Sequence, residues 1–402
     1  QAMMMPRPHP IPDFVMTPEM AAIWGRLGED NVFLTGKAGT GKSTVTQQYH
    51  ATTKRQVAIV APTGTAALNA GGVTVHSFFR FKPGIQPKEA AQIRPNQPEL
   101  FQKLECLVID EVSMVRADLL DCIEAFLRRN GPRPGQPFGG VAIMLVGDLY
   151  QLEPVCTPAE SLLLRHYSSP FFFSSSAYQE ASAFDRGGFA TMELTHSFRQ
   201  REQHFLDALD GVRDGSAAPE HLELINGRVR SMTTQATMSY LGESDSTMLA
   251  THRGQVSDWN QKMLDALPGD SITFQARISG NFRLGQFPTD EFLTLKKGAK
   301  VMLLRNNLPH WVNGTIAMVV DFNRYGVEVE LPLGRRALLE EELWDHYHYE
   351  LVDGDVERVR DGSFTQLPLR LAWASTIHKA QGFNLDRALV NLTREPFACG
   401  QL

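Results

Sequence analysis

Apolar residues fall along this chain in short unbroken runs separated by helix-compatible stretches. Asn31 to Thr35 runs straight into a glycine-rich turn, and apolar runs follow at Val57 to Val60, Leu104 to Ile109 and Val141 to Val146. Continuous apolar strands alternating with helices predict a parallel sheet covered on both faces. From about Thr191 the pattern restarts, with a helical stretch over Glu202 to Val212, an apolar run Thr247 to Ala250, and a later pair, Leu369 to Ala374 and Ala388 to Leu392. A second α/β unit is expected there. Between them, Lys300 to Leu304, Ile316 to Phe322, Gly326 to Leu331 and Tyr347 to Val352 are punctuated by Asn313-Gly314 and Asp353-Gly354, which predicts a small antiparallel β insertion. Thr17 as a cap with Pro18 at the first helical position marks where order begins.

Length changes the picture by requiring more than one domain, because 402 residues exceed a single ordinary core. Apolar residues make up 43% and charged residues 21%, and no stretch approaches the roughly 18 unbroken apolar residues of a spanning helix. No membrane partner is expected. Cys106, Cys122, Cys156 and Cys399 lack a paired metal-ligand spacing, which fits a reducing, cytoplasmic compartment. The N-terminal segment has no signal-peptide h-region. The net charge of −6 does not favour nucleic acid, yet a phosphate-gripping groove needs only a local basic lining. Lys296, Lys297, Lys300 and Arg305 are candidates for it, the competing reading being a solvated strand edge.

The chemistry begins at Gly36-Lys37-Ala38-Gly39-Thr40-Gly41-Lys42-Ser43, a G-x-x-x-x-G-K-S pattern placed between a strand and a helix. Its glycines let backbone N–H groups curl around a phosphate chain, Lys42 reaches the β and γ oxygens, and Ser43 offers a hydroxyl to Mg²⁺. Thr44 follows on the same helix. Leu107-Val108-Ile109-Asp110-Glu111 ends a buried strand in two carboxylates: Asp110 would hold Mg²⁺ through water and Glu111 would polarise the attacking water. The third apolar strand ends in Gly147-Asp148-Leu149-Tyr150-Gln151-Leu152, where Gln151 is placed to sense a γ-phosphate. A plain loop glutamine is the alternative.

These segments, with Ala61 to Ala67, Gly72 to Phe78, Phe198-Arg199-Gln200 and Ala372 to Gly382, occur in the order of the superfamily 1 DNA helicase motifs. Their particular versions resemble the Pif family, named for petite integration frequency, and the stretch Asp121 to Gly140, ending Gln136-Pro137-Phe138-Gly139-Gly140, resembles that family's signature segment. The resemblance implies an ATP- and Mg²⁺-dependent 5′-to-3′ DNA helicase moving on single-stranded DNA and opening forked or structured DNA, a monomeric motor of bacterial, nucleoid-associated type. It implies two RecA-like P-loop domains: 14–190, with a short wedge-like insertion at about 80–100, and 191–402, with an SH3-like barrel inserted at about 296–366. Arg199 is expected to cross from the second domain to the γ-phosphate. Thr63, Thr65 and His76, with Thr376 and His378, match segments that contact the DNA backbone, while Lys379, Gln381 and Gly382 match the motif that approaches both DNA and nucleotide.

Two departures stand out. Met20 falls where relatives carry an adenine-reading Gln, so base selectivity is expected to weaken. The chain stops at Leu402, before a further arginine motif, so the second domain is expected to lack its last part. His346 and His348 near Asp345 read as one strand face rather than a metal site, Phe171-Phe172-Phe173 as core rather than a base-stacking platform, and Trp373 as packing. The proline-rich Arg80 to Leu100 reads as either a duplex-splitting wedge or a connecting loop. Two rivals remain: a RecD-like helicase, against which Phe138-Gly139-Gly140 argues, and a nucleotide-gated, DNA-binding ATPase that separates no strands.

Overall fold

The computed structural model describes residues 10–396 except 12–13, 28–29, 38, 83, 157–163, 184–187, 196–202, 283–286, 306, 308–309, 312–313, 353–354, 381–384 and 386, and gives backbone only at 65, 68, 182–183, 203, 347–352 and 355–358. Six strands, β1 (Asn31–Gly36), β2 (Val57–Ala61), β3 (Val73–Thr74), β4 (Cys106–Ile109), β5 (Ala142–Val146) and β6 (Phe189–Leu194), form one sheet in the order β3-β2-β4-β5-β1-β6. Every pairing in it is parallel. Period-two alternation divides each central strand between two cores. Phe33, Ala58, Val60, Leu107, Ile109, Ile143 and Leu145 face the helix Ala117–Asn130. Val32, Leu34, Val57, Ile59, Cys106, Val108, Met144 and Val146 face the opposite way, toward the helices Pro18–Trp24 and Lys42–Thr52. Strand β6 straddles the boundary expected at 190 and pairs with β1 along its whole length, so the first sheet extends to Leu194.

The segment resembling a family signature folds back onto the helix Ala117–Asn130. Phe138 and Gly139 both take positive φ, +50° and +62°, and a Cβ on Gly139 would lie 2.1 Å from the Leu127 carbonyl oxygen. Phe138 is fully buried and its backbone N–H donates to Glu124 Oε1 at 3.2 Å. The turn thereby delivers the chain into β5 at a fixed height. Of Phe171 to Phe173, only Phe172 enters the core, against Phe33 at 5.2 Å, while Phe171 and Phe173 stack on each other. The region around residues 80–100 carries two short helices, Pro87–Ala90 and Pro98–Lys103.

The second unit is built on β7 (Ser246–Ala250). The β insertion then supplies β8 (Ile272–Gln275), β9 (Arg277–Gly280), β10 (Phe292–Leu295), β11 (Lys300–Leu303), β12 (Ile316–Asn323), β13 (Gly326–Glu330), β14 (Arg336–Glu340), β15 (Glu342–Val352), β16 (Asp355–Gln366) and β17 (Leu369–Leu371). The chain returns through β18 (Ala374–Thr376) and β19 (Arg387–Asn391) to flank β7 in a parallel sheet ordered β18-β7-β19. All pairings within the insertion are antiparallel, and its strands reach from Ile272 to Leu371, wider than the expected 296–366. The run expected over Leu369 to Ala374 divides between the two kinds of sheet around Trp373, which is 2% exposed and packs in the second core.

The expected basic lining does not form. Lys300 is fully buried, with its ammonium donating to the carbonyls of Leu241 (2.5 Å), Ser246 (2.7 Å) and Glu243. It thus satisfies carbonyls left over at the C-terminal end of the helix Thr234–Gly242. Lys296 donates to the Leu267 carbonyl, Lys297 pairs with Asp321, and Arg305 donates to the Leu343 carbonyl while lying over the Trp344 ring. His346 pairs with Asp361 at 2.6 Å and packs on Phe282, whereas Asp345 pairs with Arg360. The side chain of His348 lies outside the described residues.

Candidate nucleotide and nucleic-acid site

Sheet register decides where the polar loops meet. β1 pairs with β5 as Leu34↔Val146 and β4 with β5 as Ile109↔Leu145, so the ends of β1, β4 and β5 lie side by side at the carboxyl edge, where open α/β sheets collect ligands. Gly36 leaves β1 at φ +147°, and a Cβ there would sit 2.5 Å from the Leu194 carbonyl and 2.8 Å from Thr40 Oγ1. Gly39 and Gly41 are left-handed at φ +81° and +92°, and Gly41 caps the helix Lys42–Thr52. Only glycine adopts these angles at low cost. The resulting cradle ends at a helix N-terminus, which favours an anion.

Lys42 folds into that cradle. Its ammonium donates to the Gly36 carbonyl at 2.6 Å and the Lys37 carbonyl at 3.1 Å. Burial presses its pKa down, against the pull of Asp148, Glu111 and Asp110. Thr40 turns inward, donating to the Lys37 carbonyl at 2.9 Å, while Ser43 sits exposed on the first turn of the helix with Thr44 beside it. Ala38 lies outside the described residues.

At the end of β4, the Asp110 N–H donates to the Val60 carbonyl, and Asp110 Oδ1 accepts from the Glu111 N–H at 2.9 Å. Burial raises both carboxyls, the Glu111 group to about 7 with further help from Asp110. Two partly buried carboxyls held against their preference are the kind of donor set that a divalent cation relieves. Glu111 takes φ +51°, a left-handed angle that costs a non-glycine residue about 1–2 kcal/mol and swings its side chain out of the strand line. The donor set and the phosphate cradle together fit a Mg²⁺–nucleoside triphosphate: Lys42 and the loop N–H groups would hold phosphates, and Ser43 and Asp110 the cation.

At the end of β5, Asp148 is 1% exposed, and Gln151 Nε2 donates to its Oδ2 at 3.1 Å. The same carboxylate receives Arg213 through Nη1 at 2.6 Å and Nη2 at 2.7 Å. Arg213 belongs to the helix Gln203–Asp214 of the second unit, as does Asp210, which pairs with Lys37 of the P-loop at 2.5 Å. The sequence reading missed Asp148, Arg213 and Asp210. Asp148 was visible only as part of a motif, and an Arg late in an amphipathic helix looks like a solvated C-terminal charge. Arg199 lies outside the described residues, but the elements flanking it, β6 and the helix Gln203–Asp214, both border the P-loop.

The residues expected to meet DNA also follow strand ends. After β2, Thr63 caps the helix Gly64–Ala70 by accepting from the Ala66 N–H at 3.2 Å, and after β3 His76 sits half-buried in the helix Val75–Phe79. The side chain of Thr65 lies outside the described residues. After β18, Thr376 accepts from the Lys379 N–H at 3.2 Å, placing His378 and Lys379 on the turn that follows. Burial and the charge of Arg253 press the His378 pKa down, and burial with Arg370 does the same to Lys379. Arg253 and Arg370 thus lie near His378 and Lys379, with the carboxylate of Asp290 close to Arg370 and Lys379. Gln381 and Gly382 lie outside the described residues. Met20 is 3% exposed and packs with Ile23, Val32 and Leu34.

A family profile described as PIF1-like helicase matches residues 20–221. The chain is 33% identical over 400 residues to the ATP-dependent DNA helicase PIF1 of Homo sapiens, covering 95% of this chain and 57% of the human protein. This chain belongs to the PIF1-like helicase family. It spans about half the length of the curated vertebrate relatives it matches. Among solved members, it resembles Bacteroides Pif1 in complex with ADP-AlF4 at a TM-score of 0.86 and 34% identity, covering 97% of this chain and 89% of the other. Against Bacteroides Pif1 bound to ssDNA, the TM-score is 0.63 at 34% identity over 97% and 88% of the two chains. The PIF1-like motifs thus sit on a shared fold whose overall superposition differs between those two structures. No helix among the described residues is long and apolar enough to cross a membrane.

Proposed function

We propose that this chain is an ATP-driven DNA helicase motor that translocates 5′ to 3′ on single-stranded DNA and separates forked or structured duplexes as a monomer in the bacterial nucleoid. The observation that carries the reading is the nucleotide site shared between units: Lys42, Asp110, Glu111 and Gln151 meet at one sheet edge, and Asp210 and Arg213 of the second unit close over it. A site built from both units makes their relative position depend on what it holds. Lys42 would release the loop carbonyls for phosphate oxygens, Glu111 would take a proton from the attacking water, and Gln151 would sense the γ-phosphate. Bound Mg²⁺ would supply charge neutralisation at the phosphates. Arg199 fits as the arginine that crosses to the γ-phosphate, with Gln381 and Gly382 near it.

Two RecA-like domains then carry Thr63, Thr65 and His76 on one side and Thr376, His378 and Lys379 on the other, gripping DNA in alternation. Against this chain, the Bacteroides relative scores 0.86 with ADP-AlF4 and 0.83 unliganded, but 0.63 with ssDNA and 0.62 with ADP-AlF3 and ssDNA, which supports a rearrangement on binding DNA. The antiparallel insertion fits an SH3-like barrel, and the segment near residues 80–100 a wedge. Steady-state ATP hydrolysis with and without single-stranded DNA tests the reading: strong stimulation, nearly abolished in Lys42→Ala, is expected. An unstimulated rate, or an unaffected variant, would overturn it.

A further inference from the structure

Asp148 is buried and its carboxylate is saturated. It accepts both Arg213 terminal nitrogens, the Tyr150 N–H at 3.1 Å and the Gln151 side-chain amide at 3.1 Å, and a carboxylate offers only about four acceptor positions. The bidentate fork fixes the plane of the carboxylate, which no single-point contact does. Arg213 is itself held by Asp148 below and by the Tyr150 ring, whose centroid lies 4.4 Å from its guanidinium carbon. One helical turn earlier, Asp210 ties the same helix to Lys37 on the P-loop. The donor end of the Gln151 amide is therefore oriented by a group that an arginine of the other unit holds in place.

We propose that Arg213 is a positioning residue for hydrolysis, clamping Asp148 so that Gln151 is set for the γ-phosphate only while the second unit is docked on the first. The inference rests on the assignment of Gln151 as the phosphate sensor. Undocking the helix Gln203–Asp214 withdraws both terminal nitrogens at once and leaves a buried carboxylate to recruit a new partner. Gln151 then loses its fixed orientation, and hydrolysis is coupled to domain closure by contacts outside the phosphate site itself.

A double-mutant cycle on the wild-type chain, Gln151→Ala, Arg213→Gln and the pair, separates this role from plain packing. DNA-stimulated kcat for ATP is expected to fall about tenfold in Arg213→Gln, the scale of one charge-assisted hydrogen bond, with KM for ATP within about twofold. The double variant is expected to be no slower than Gln151→Ala alone. Arg213→Lys keeps the charge without the fork and is expected to restore only part of the loss; it also provides the same cycle if the melting curve shows Arg213→Gln to be unfolded. Multiplicative losses in the double variant, or wild-type kcat in Arg213→Gln beside a slow Gln151→Ala, would overturn the clamp alone. A normal Gln151→Ala would overturn the sensor assignment, and the clamp with it.

Discussion

Gly147 lies against Val112 so closely that a Cβ on it would sit 3.0 Å from both the Val112 backbone nitrogen and its Cγ1. The turn carrying Asp110 and Glu111 and the loop carrying Asp148 and Gln151 are in contact because position 147 has no side chain. Gly147→Ala should push the two apart, lowering stability by about 1–3 kcal/mol and slowing hydrolysis in the folded fraction. Thermal melting combined with ATPase assays checks this, and an alanine variant that melts and turns over normally would show that the approach is not needed.

Lys300 is a structural cation. Lys300→Met keeps the volume but strands the carbonyls of Leu241, Glu243 and Ser246, so a loss of roughly 3 kcal/mol is expected. The folded variant should still bind single-stranded DNA with the wild-type salt dependence. Each neutralised phosphate contributes about 0.7 to the logarithmic slope, and neutralising Arg253 or Lys379 should reduce it. A slope that falls in Lys300→Met and not in Lys379→Ala would reverse this assignment.

Met20→Gln probes the base-selectivity argument. Because the side chain faces the core formed by Ile23, Val32 and Leu34, the amide should cost about 1–3 kcal/mol of stability for an unpaired buried polar group without sharpening preference for ATP over GTP. Competition of the two nucleotides in the ATPase assay reads this directly; a clear gain in ATP preference would put position 20 back at the base.

What was legible in the sequence is what local chemistry dictates. The glycines at 36, 39 and 41 are demanded by left-handed angles and close approaches, and buried runs such as Val57–Ala61 have no polar face to hide. Pairings between distant segments were not legible. Nothing near Lys300 in sequence announces the carbonyls of Leu241 and Ser246, and nothing near Asp148 announces an arginine 65 positions away. The widening of the β insertion has the same cause in part: β9 pairs with β16, Gly280 lying opposite Gly362, whereas β8, which begins at Ile272, pairs with the nearby β10. The burial of Met20 was equally hidden, because a motif alignment fixes a position along a helix but not the face, and here that face packs on Ile23, Val32 and Leu34.

The central claim is that nucleotide turnover at the shared site moves the chain along one strand of DNA. Strand separation of matched duplexes bearing a single-stranded 5′ or 3′ tail, with ATP and Mg²⁺, measures it most directly. Unwinding of the 5′-tailed duplex alone, lost in Glu111→Gln, is the predicted result. ATP hydrolysis stimulated by DNA with neither duplex opened, or opening of only the 3′-tailed one, would contradict it.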